Sequence, residues 1–363
     1  MGRSISIYLT SMDVGGVQRV ALNLCTGLVE KGHDIEVVLV NAEGELLNEL
    51  PEEVSVIDLG EDRVATTVFP LRRYLNRKNP DVLYAMMTEI NIIATIAHRL
   101  SRVDSRLILS EHNMPTNSID SKKDLAVMKL ATLTYSLADH AVAVSNGVYE
   151  DLLNVSRLSE SKISQVHNPI NINRIRTDAS EQVSHRWLNN DDYNVVISAG
   201  RHVPQKGFDT LIESFSRVKD ENLRLLILGK GDETESLKEI ATNLGIKDRV
   251  EFPGFVENPF AYISRADVFV LSSQYEGFGM VLVEALACGC AVVSTNCPSG
   301  PEEILKGGEY GPLVPVGAVD ELTSGIERVL DSPPTSDELE SRARDFAVNK
   351  IASEYEDVFF NTM

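Results

Sequence analysis

A chain of 363 residues, 43% hydrophobic and 24% charged, can bury two cores of ordinary domain size. Its 54 acidic residues against 34 basic ones leave a formal charge of −20, which argues against a nucleic-acid partner because a phosphate-tracking surface needs clustered Lys and Arg. The apolar runs, such as DIEVVLV and LRLLILG, fall far short of the roughly 20 residues that cross a bilayer.

The N-terminal ISIYL reads as a first strand rather than a secretory signal, because Asp13 closely follows a brief apolar stretch. An amphipathic helix from Val17, the strand DIEVVLV, a helix within 65–78, the strands DVLYAMM and RLILSEH, a helix within 121–138, and the strands HAVAVS and ISQVHNP complete a first series. Asn168-Pro169 breaks the pattern, since proline biases its predecessor away from the helical region. After a polar stretch a second series runs through YNVVISAG, LRLLILGKG, RVEFPGFV, ADVFVLSS, AVVSTN and GPLVPV. Strands alternating with helices predict an α/β fold of two Rossmann-like domains, 1–168 and 169–346, facing across a cleft where a ligand binds. Residues 347–363 have apolar spacing but no following strand, so they are expected to form a helix that packs back on the first domain. Cys25, Cys288, Cys290 and Cys297 form no CxxC pair and have no His at zinc spacing; reduced core residues of a cytoplasmic protein are expected, with no metal site. The Lys-poor, acid-rich composition, 21 Arg and 13 Lys, would also suit a high-salt cytoplasm.

Three stretches carry chemistry. Gly15 and Gly16 are expected to turn the chain from the first strand into a helix whose free N–H groups and positive dipole end suit a phosphate; strict GxGxxG is absent, which argues against a dinucleotide. In ISAGRHVPQKGF, Arg201 follows a strand and Lys206 precedes Gly207, so one loop holds two cations that could neutralise a diphosphate without a metal; two solvated surface cations would be the bland alternative. In SSQYEGFGMVLVEALACGC, Glu276 hangs beyond a strand while Glu284 sits one turn into the next helix, with the backbone amides of Gly279, Met280 and Val281 between them. A nucleotide sugar would find acceptors for sugar hydroxyls at one end, acceptors for ribose hydroxyls at the other, and amides for phosphate in the middle.

With GGVQR, GRHVPQKGFDTLIESF and EALACGCAVVSTN, the E-x7-E of Glu276 and Glu284 resembles the family-4 retaining glycosyltransferases of the GT-B fold, over nearly the whole chain. The resemblance implies that Gly16 approaches the donor diphosphate, that Arg201 and Lys206 bind it, that Glu284 holds the ribose, and that Glu276 holds the transferred sugar. It places His112 of LILSEHNMP beside that sugar, and Phe255 and Val256 of PGFVEN at the base. It further implies transfer of a hexose or N-acetylhexosamine, with retention and without metal or cofactor, from a nucleoside-diphosphate sugar, UDP-linked, to a lipid-linked glycan of surface-polysaccharide or protein-glycosylation assembly. Two alternatives remain at this point: a nucleotide-sugar 2-epimerase and a catalytically silent sugar-nucleotide-binding partner. Finally, FPLRRYLNRKNP groups Arg72, Arg73, Arg77 and Lys78 with Leu71, Tyr74 and Leu75, a basic amphipathic helix that could meet anionic lipid at the inner face of the membrane or pack by its apolar side.

Overall fold

In the computed structural model, which describes residues 2–114, 116 and 121–361, strands and helices alternate through two units: residues through Ile170 together with those from Ala347 onward, and residues 171–346. The boundary lies two residues beyond the expected 168.

Unit 1 runs β1 (Ser4–Leu9), α1 (Gly16–Glu30), β2 (Asp34–Leu39), β3 (Ser55–Asp58), α2 (Val68–Lys78), β4 (Val82–Met86), α3 (Thr88–Leu100), β5 (Arg106–Glu111), α4 (Lys122–Tyr135), β6 (His140–Ala143), α5 (Asn146–Val155) and β7 (Ile163–Gln165). Its sheet has the order β3-β2-β1-β4-β5-β6-β7, with every pair parallel. β3 was not among the expected strands. It is an edge strand whose residues stay largely exposed, so it lacks the apolar run that marks the others. The central strands are buried on both faces, as parallel sheets require: Ile5, Ile7, Tyr8 and Leu9 of β1 and all of β4 are closed to solvent.

Unit 2 runs α6 (Ile172–Ala179), β8 (Asn194–Ala199), α7 (Phe208–Arg217), β9 (Leu223–Leu228), α8 (Thr234–Asn243), β10 (Val250–Gly254), α9 (Pro259–Ile263), β11 (Val268–Leu271), α10 (Met280–Ala287), β12 (Ala291–Thr295), α11 (Pro301–Ile304), β13 (Leu313–Val314), α12 (Val319–Asp331) and α13 (Ser336–Ala343). Its parallel sheet is ordered β10-β9-β8-β11-β12-β13.

The last helix, α14 (Val348–Phe360), returns to unit 1 as expected. Ile170 bridges to Ala347, and a Cβ added at Gly27 of α1 would stand 2.7 Å from both the Ala352 Cβ and the Val348 Cγ1. Only glycine admits so close a helix. Tyr84 donates to the Tyr355 hydroxyl at 3.2 Å, and Glu356 pairs with Lys31 at 3.1 Å, so the contact has an apolar centre and a charged rim. The four cysteines are unpaired, and burial raises the pKa of each thiol.

The basic helix expected within 65–78 begins at Val68. Its apolar residues Leu71, Tyr74 and Leu75 are buried in unit 1, with the Tyr74 hydroxyl bonded to Glu36 and Ser6. That apolar face is taken up by the core and cannot also enter a bilayer.

Candidate active site

Each sheet reverses its strand order once, between β1 and β4 and between β8 and β11. Loops leaving the carboxyl ends of such a strand pair diverge and open a crevice for a ligand. In unit 2 Arg201, Lys206 and Glu276 occupy those two loops, and Glu284 lies on the helix that follows the second.

After β8 the chain passes Gly200 and the exposed Arg201, makes a short 3-10 turn over Pro204–Lys206, and enters α7 through Gly207 at φ +59°. A Cβ on Gly207 would lie 2.3 Å from the Ser272 carbonyl oxygen, so glycine is what lets this loop rest on the loop after β11. Three hydrogen bonds join the two loops: Gln274 N to Gln205 O at 2.8 Å, Gln205 Nε2 to Tyr275 O at 2.9 Å, and Ser272 Oγ to Lys206 O at 2.8 Å. Lys206 runs over bare Gly200, where a Cβ would stand 3.2 Å from its Cε, and donates from Nζ to Glu276 Oε1 at 2.6 Å. Ser273 Oγ donates to the same oxygen at 2.7 Å. The Lys206 and Glu276 side chains are only 16% and 10% exposed, so their attraction is little diluted by water. Two groups assigned to different parts of the donor are thus bonded to each other.

The acidic loop is braced from behind. Ser299 Oγ donates to Gly277 O at 3.0 Å, and Gly300, at φ +96°, brings its backbone so close that a Cβ would overlap the Phe278 carbonyl oxygen at 1.8 Å. Ser299 itself sits at φ +75°, a strained conformation for a residue with a side chain. Sequence reasoning passed over this pair; the PSGP string after AVVSTN is the signal that could have found it.

The loop ends at Gly279, φ +93°, which caps α10 with no side-chain hydrogen bond. The amides of Met280 and Val281 belong to the first turn, where N–H groups have no acceptor within the helix and the dipole is positive. Half-buried Glu284 lies one turn further on. Phe255, 54% exposed, and Val256 follow β10, which is two strands away from β8. Lys230, from the GKG loop after β9, places Nζ 5.9 Å from the Phe255 ring centroid. It is a cation that the sequence reading did not single out.

In unit 1 the glycine pair stands where the chain enters its helix, which starts one residue earlier than expected. Gly15 is extended, at φ −161°, and caps α1, whose first residue is Gly16; neither takes a left-handed conformation. A Cβ on Gly16 would meet nothing within 4 Å. The glycine that this region needs for its backbone is Gly44, at φ +114°, where a Cβ would lie 2.1 Å from the Met12 carbonyl carbon.

His112, one residue past β5, is buried and shares a 2.9 Å hydrogen bond between Nε2 and Ser110 Oγ. Burial pushes its pKa down to about 3, only partly offset by the Asn168 carboxamide beside it, so the imidazole is neutral at ordinary pH. Its Nδ1 and Asn168 Oδ1 are both buried without a closed hydrogen bond, which is uncommon for buried polar atoms. Met87, at the end of β4, is held at φ +91°. Glu111 points to the opposite side of β5, where it accepts from Tyr135, from Thr88 at 3.0 Å and from Asn91 at 3.1 Å. Burial raises its pKa to about 7.

Two family models match in tandem: Glycosyltransferase Family 4 over residues 14–174, and Glycosyl transferases group 1 over residues 180–346. The chain belongs to the family-4 glycosyltransferases. It is 27% identical to an N-acetylgalactosamine-N,N'-diacetylbacillosaminyl-diphospho-undecaprenol 4-alpha-N-acetylgalactosaminyltransferase of Campylobacter jejuni, across 96% of this chain and 97% of that one. It is 28% identical to a lipopolysaccharide 1,6-galactosyltransferase of Salmonella typhimurium, across 77% and 74%. Among solved structures, Anabaena HepE with UDP and glucose superimposes at a TM-score of 0.81 and 21% identity, covering 99% of this chain and 100% of that one. The two parallel sheets are those of the GT-B fold.

Proposed function

We propose that this glycosyltransferase moves a hexose or N-acetylhexosamine from a UDP-linked sugar to a hydroxyl of a lipid-linked glycan, with retention of anomeric configuration and with no metal or cofactor. The observation that carries the reading is the withdrawn Lys206–Glu276 pair at the strand-order reversal of unit 2, with Arg201 on the same loop and the uncapped amides of α10 at the end of the next. The Campylobacter relative is named for a diphospho-undecaprenol acceptor, and HepE was solved with UDP. Both support the choice of acceptor and donor here.

In this reading the diphosphate meets Arg201, Lys206 and the first-turn amides of α10, which oppose the charge that grows as the sugar–phosphate bond breaks. Glu276, kept anionic and aimed by Lys206 and Ser273, accepts from sugar hydroxyls, and Glu284 accepts from the ribose. Phe255 and Val256 meet the base. The acceptor hydroxyl attacks the face from which the β-phosphate departs, and the departing phosphate oxygen takes its proton, so no side chain serves as nucleophile. Gly16, on which a Cβ would meet nothing, leaves room for phosphate at the α1 N-terminus beside Gly15, against which Gln18 Oε1 rests, and His112, neutral, is assigned to the sugar as a hydrogen-bonding group rather than a cation. The glycan is one of surface-polysaccharide or protein-glycosylation assembly, extended at the cytoplasmic face of the membrane.

The test is a donor panel of UDP-, GDP- and ADP-sugars, with and without lipid-linked acceptors, read by mass spectrometry. Release of UDP coupled to a glycosylated acceptor, lost in a folded Glu276→Ala variant, is expected. Tight donor binding without transfer to any acceptor, or an epimerised donor, would overturn it.

A further inference from the structure

Of the eleven large hydrophobic side chains exposed among the described residues, six fall on or beside three neighbouring helices of unit 1. Among those exposed in the described residues, Leu125, Leu130 and Leu133 lie on α4, Leu137 follows it, Leu100 ends α3, and Phe69 opens α2. Helix α4, expected within 121–138, buries Ala131, Thr134 and Tyr135, while its other side carries Leu125, Leu130 and Leu133 with Lys122 and Lys129 among them.

The three helices belong to one surface. Arg72 Nε of α2 donates to Leu100 O at 2.8 Å, the Arg102 amide donates to Asn76 Oδ1 at 3.0 Å, and Arg99 Nη2 donates to Leu137 O at 2.8 Å. The bonds to backbone carbonyls hold Arg72 and Arg99 in place without neutralising them. Across 68–78, 99–102 and 122–137 the chain carries nine Lys and Arg against a single acid, Asp124, in a protein whose formal charge is −20. Lys78 is engaged by Glu36 at 2.8 Å and Lys123 by Glu89 at 3.4 Å, while Arg73, Arg77, Arg99, Arg102 and Lys129 stand exposed on or next to the same three helices.

We propose that this α2–α3–α4 face is a docking surface for an anionic lipid bilayer, with the leucines of α4 entering the headgroup boundary and Arg73, Arg77, Arg99, Arg102 and Lys129 meeting lipid phosphates. Exposed leucine alone would fit many partners. Interleaving with cations, on the basic region of an acidic chain, selects a surface that is apolar within and negative without. The inference deepens the proposed use of a lipid-linked acceptor and takes the identity of its partner from it, but it assigns contact to the exposed face of α4 rather than to the buried apolar face of α2.

The full chain would be sedimented with vesicles of phosphatidylcholine alone and of phosphatidylcholine with phosphatidylglycerol. Binding only to the anionic vesicles, released by high salt, is expected. Leu130→Ser with Leu133→Ser should weaken it about 10²-fold, and Arg73→Glu with Arg77→Glu by at least about tenfold. Leu244→Ser, an exposed leucine of unit 2, should change nothing. Absence of binding, equal binding to neutral vesicles, indifference to both double substitutions, or self-association that the leucine substitutions abolish would each overturn the proposal. Transfer to a short-chain soluble acceptor is measured alongside. A chain that transfers but ignores vesicles sinks only the docking surface, and one that binds vesicles but transfers to nothing sinks only the transferase reading.

Discussion

Removing either partner of the Lys206–Glu276 pair should weaken unit 2 as well as activity, and by less together than the two losses summed. At 2.6 Å, two unit charges attract by about 6 kcal/mol at an effective dielectric of 20. Desolvation takes back most of that, and breaking a fully buried pair from one side costs about 3–5 kcal/mol. With the side chains 16% and 10% exposed, Lys206→Met should cost about 2–3 kcal/mol, because Glu276 then keeps the Ser273 hydroxyl as its donor but loses its counter-charge. Glu276→Gln should cost about 1–2 kcal/mol, since an amide oxygen still accepts from the ammonium. The double variant should lose about 2 kcal/mol, leaving a coupling of roughly 1–3 kcal/mol. The chain has a single tryptophan, Trp187, buried in unit 2, so its fluorescence during urea unfolding reports this unit selectively. Each single variant should also lower kcat/KM by about 10²–10³. Losses that add within about 0.5 kcal/mol would mean that the pair does not exist in solution, and the account of how Glu276 is aimed would fail.

Gly16→Ala should leave stability within about 0.5 kcal/mol, because its Cβ enters open space, while raising the donor KM; an unchanged KM would remove Gly16 from the phosphate site. Gly300→Ala should by contrast cost about 3 kcal/mol or more and impair donor binding, its Cβ colliding with the Phe278 carbonyl at a positive φ, as read by Trp187 fluorescence and calorimetric titration with UDP. His112, neutral in the fold with its pKa near 3 against an ordinary 6.5, contributes stability that is complete above pH 6.5 and is lost as pH falls toward 3; its NMR ring shifts should stay flat through the range in which free histidine titrates. Glu111 has the opposite sign: raised from 4.5 to about 7, its contribution is complete below 4.5 and is lost as pH rises through 7. Glu111→Gln should therefore stabilise unit 1 at pH 8 by about 2 kcal/mol and not at pH 4, as measured by hydrogen exchange of the β5 amides.

What the sequence determined by itself was whatever depends on neighbours along the chain. Apolar runs such as DVLYAMM become buried parallel strands because a sheet covered on both faces needs no alternation, and Asn168-Pro169 interrupts the series near the unit boundary at Ile170. The placement of Glu276 beyond a strand and Glu284 one turn into a helix was legible for the same reason: strand, glycine turn and helix follow one another in twenty residues, 268–287. The edge strand β3 escaped because an exposed strand leaves no apolar signature.

Only tertiary structure decided what depends on residues far apart. Lys206 and Glu276, 70 positions distant, touch because β8 and β11 are neighbours in the sheet, a pairing that no local pattern encodes. The need for Gly44 and Gly300 arises from backbones that approach them from elsewhere, Met12 in one case and Phe278 in the other. Which helix side chains are covered was likewise tertiary. By composition α2 could meet a membrane or pack by its apolar side, and its Leu71, Tyr74 and Leu75 complete the core, while α4 buries Ala131, Thr134 and Tyr135 and leaves all three of its leucines at the surface.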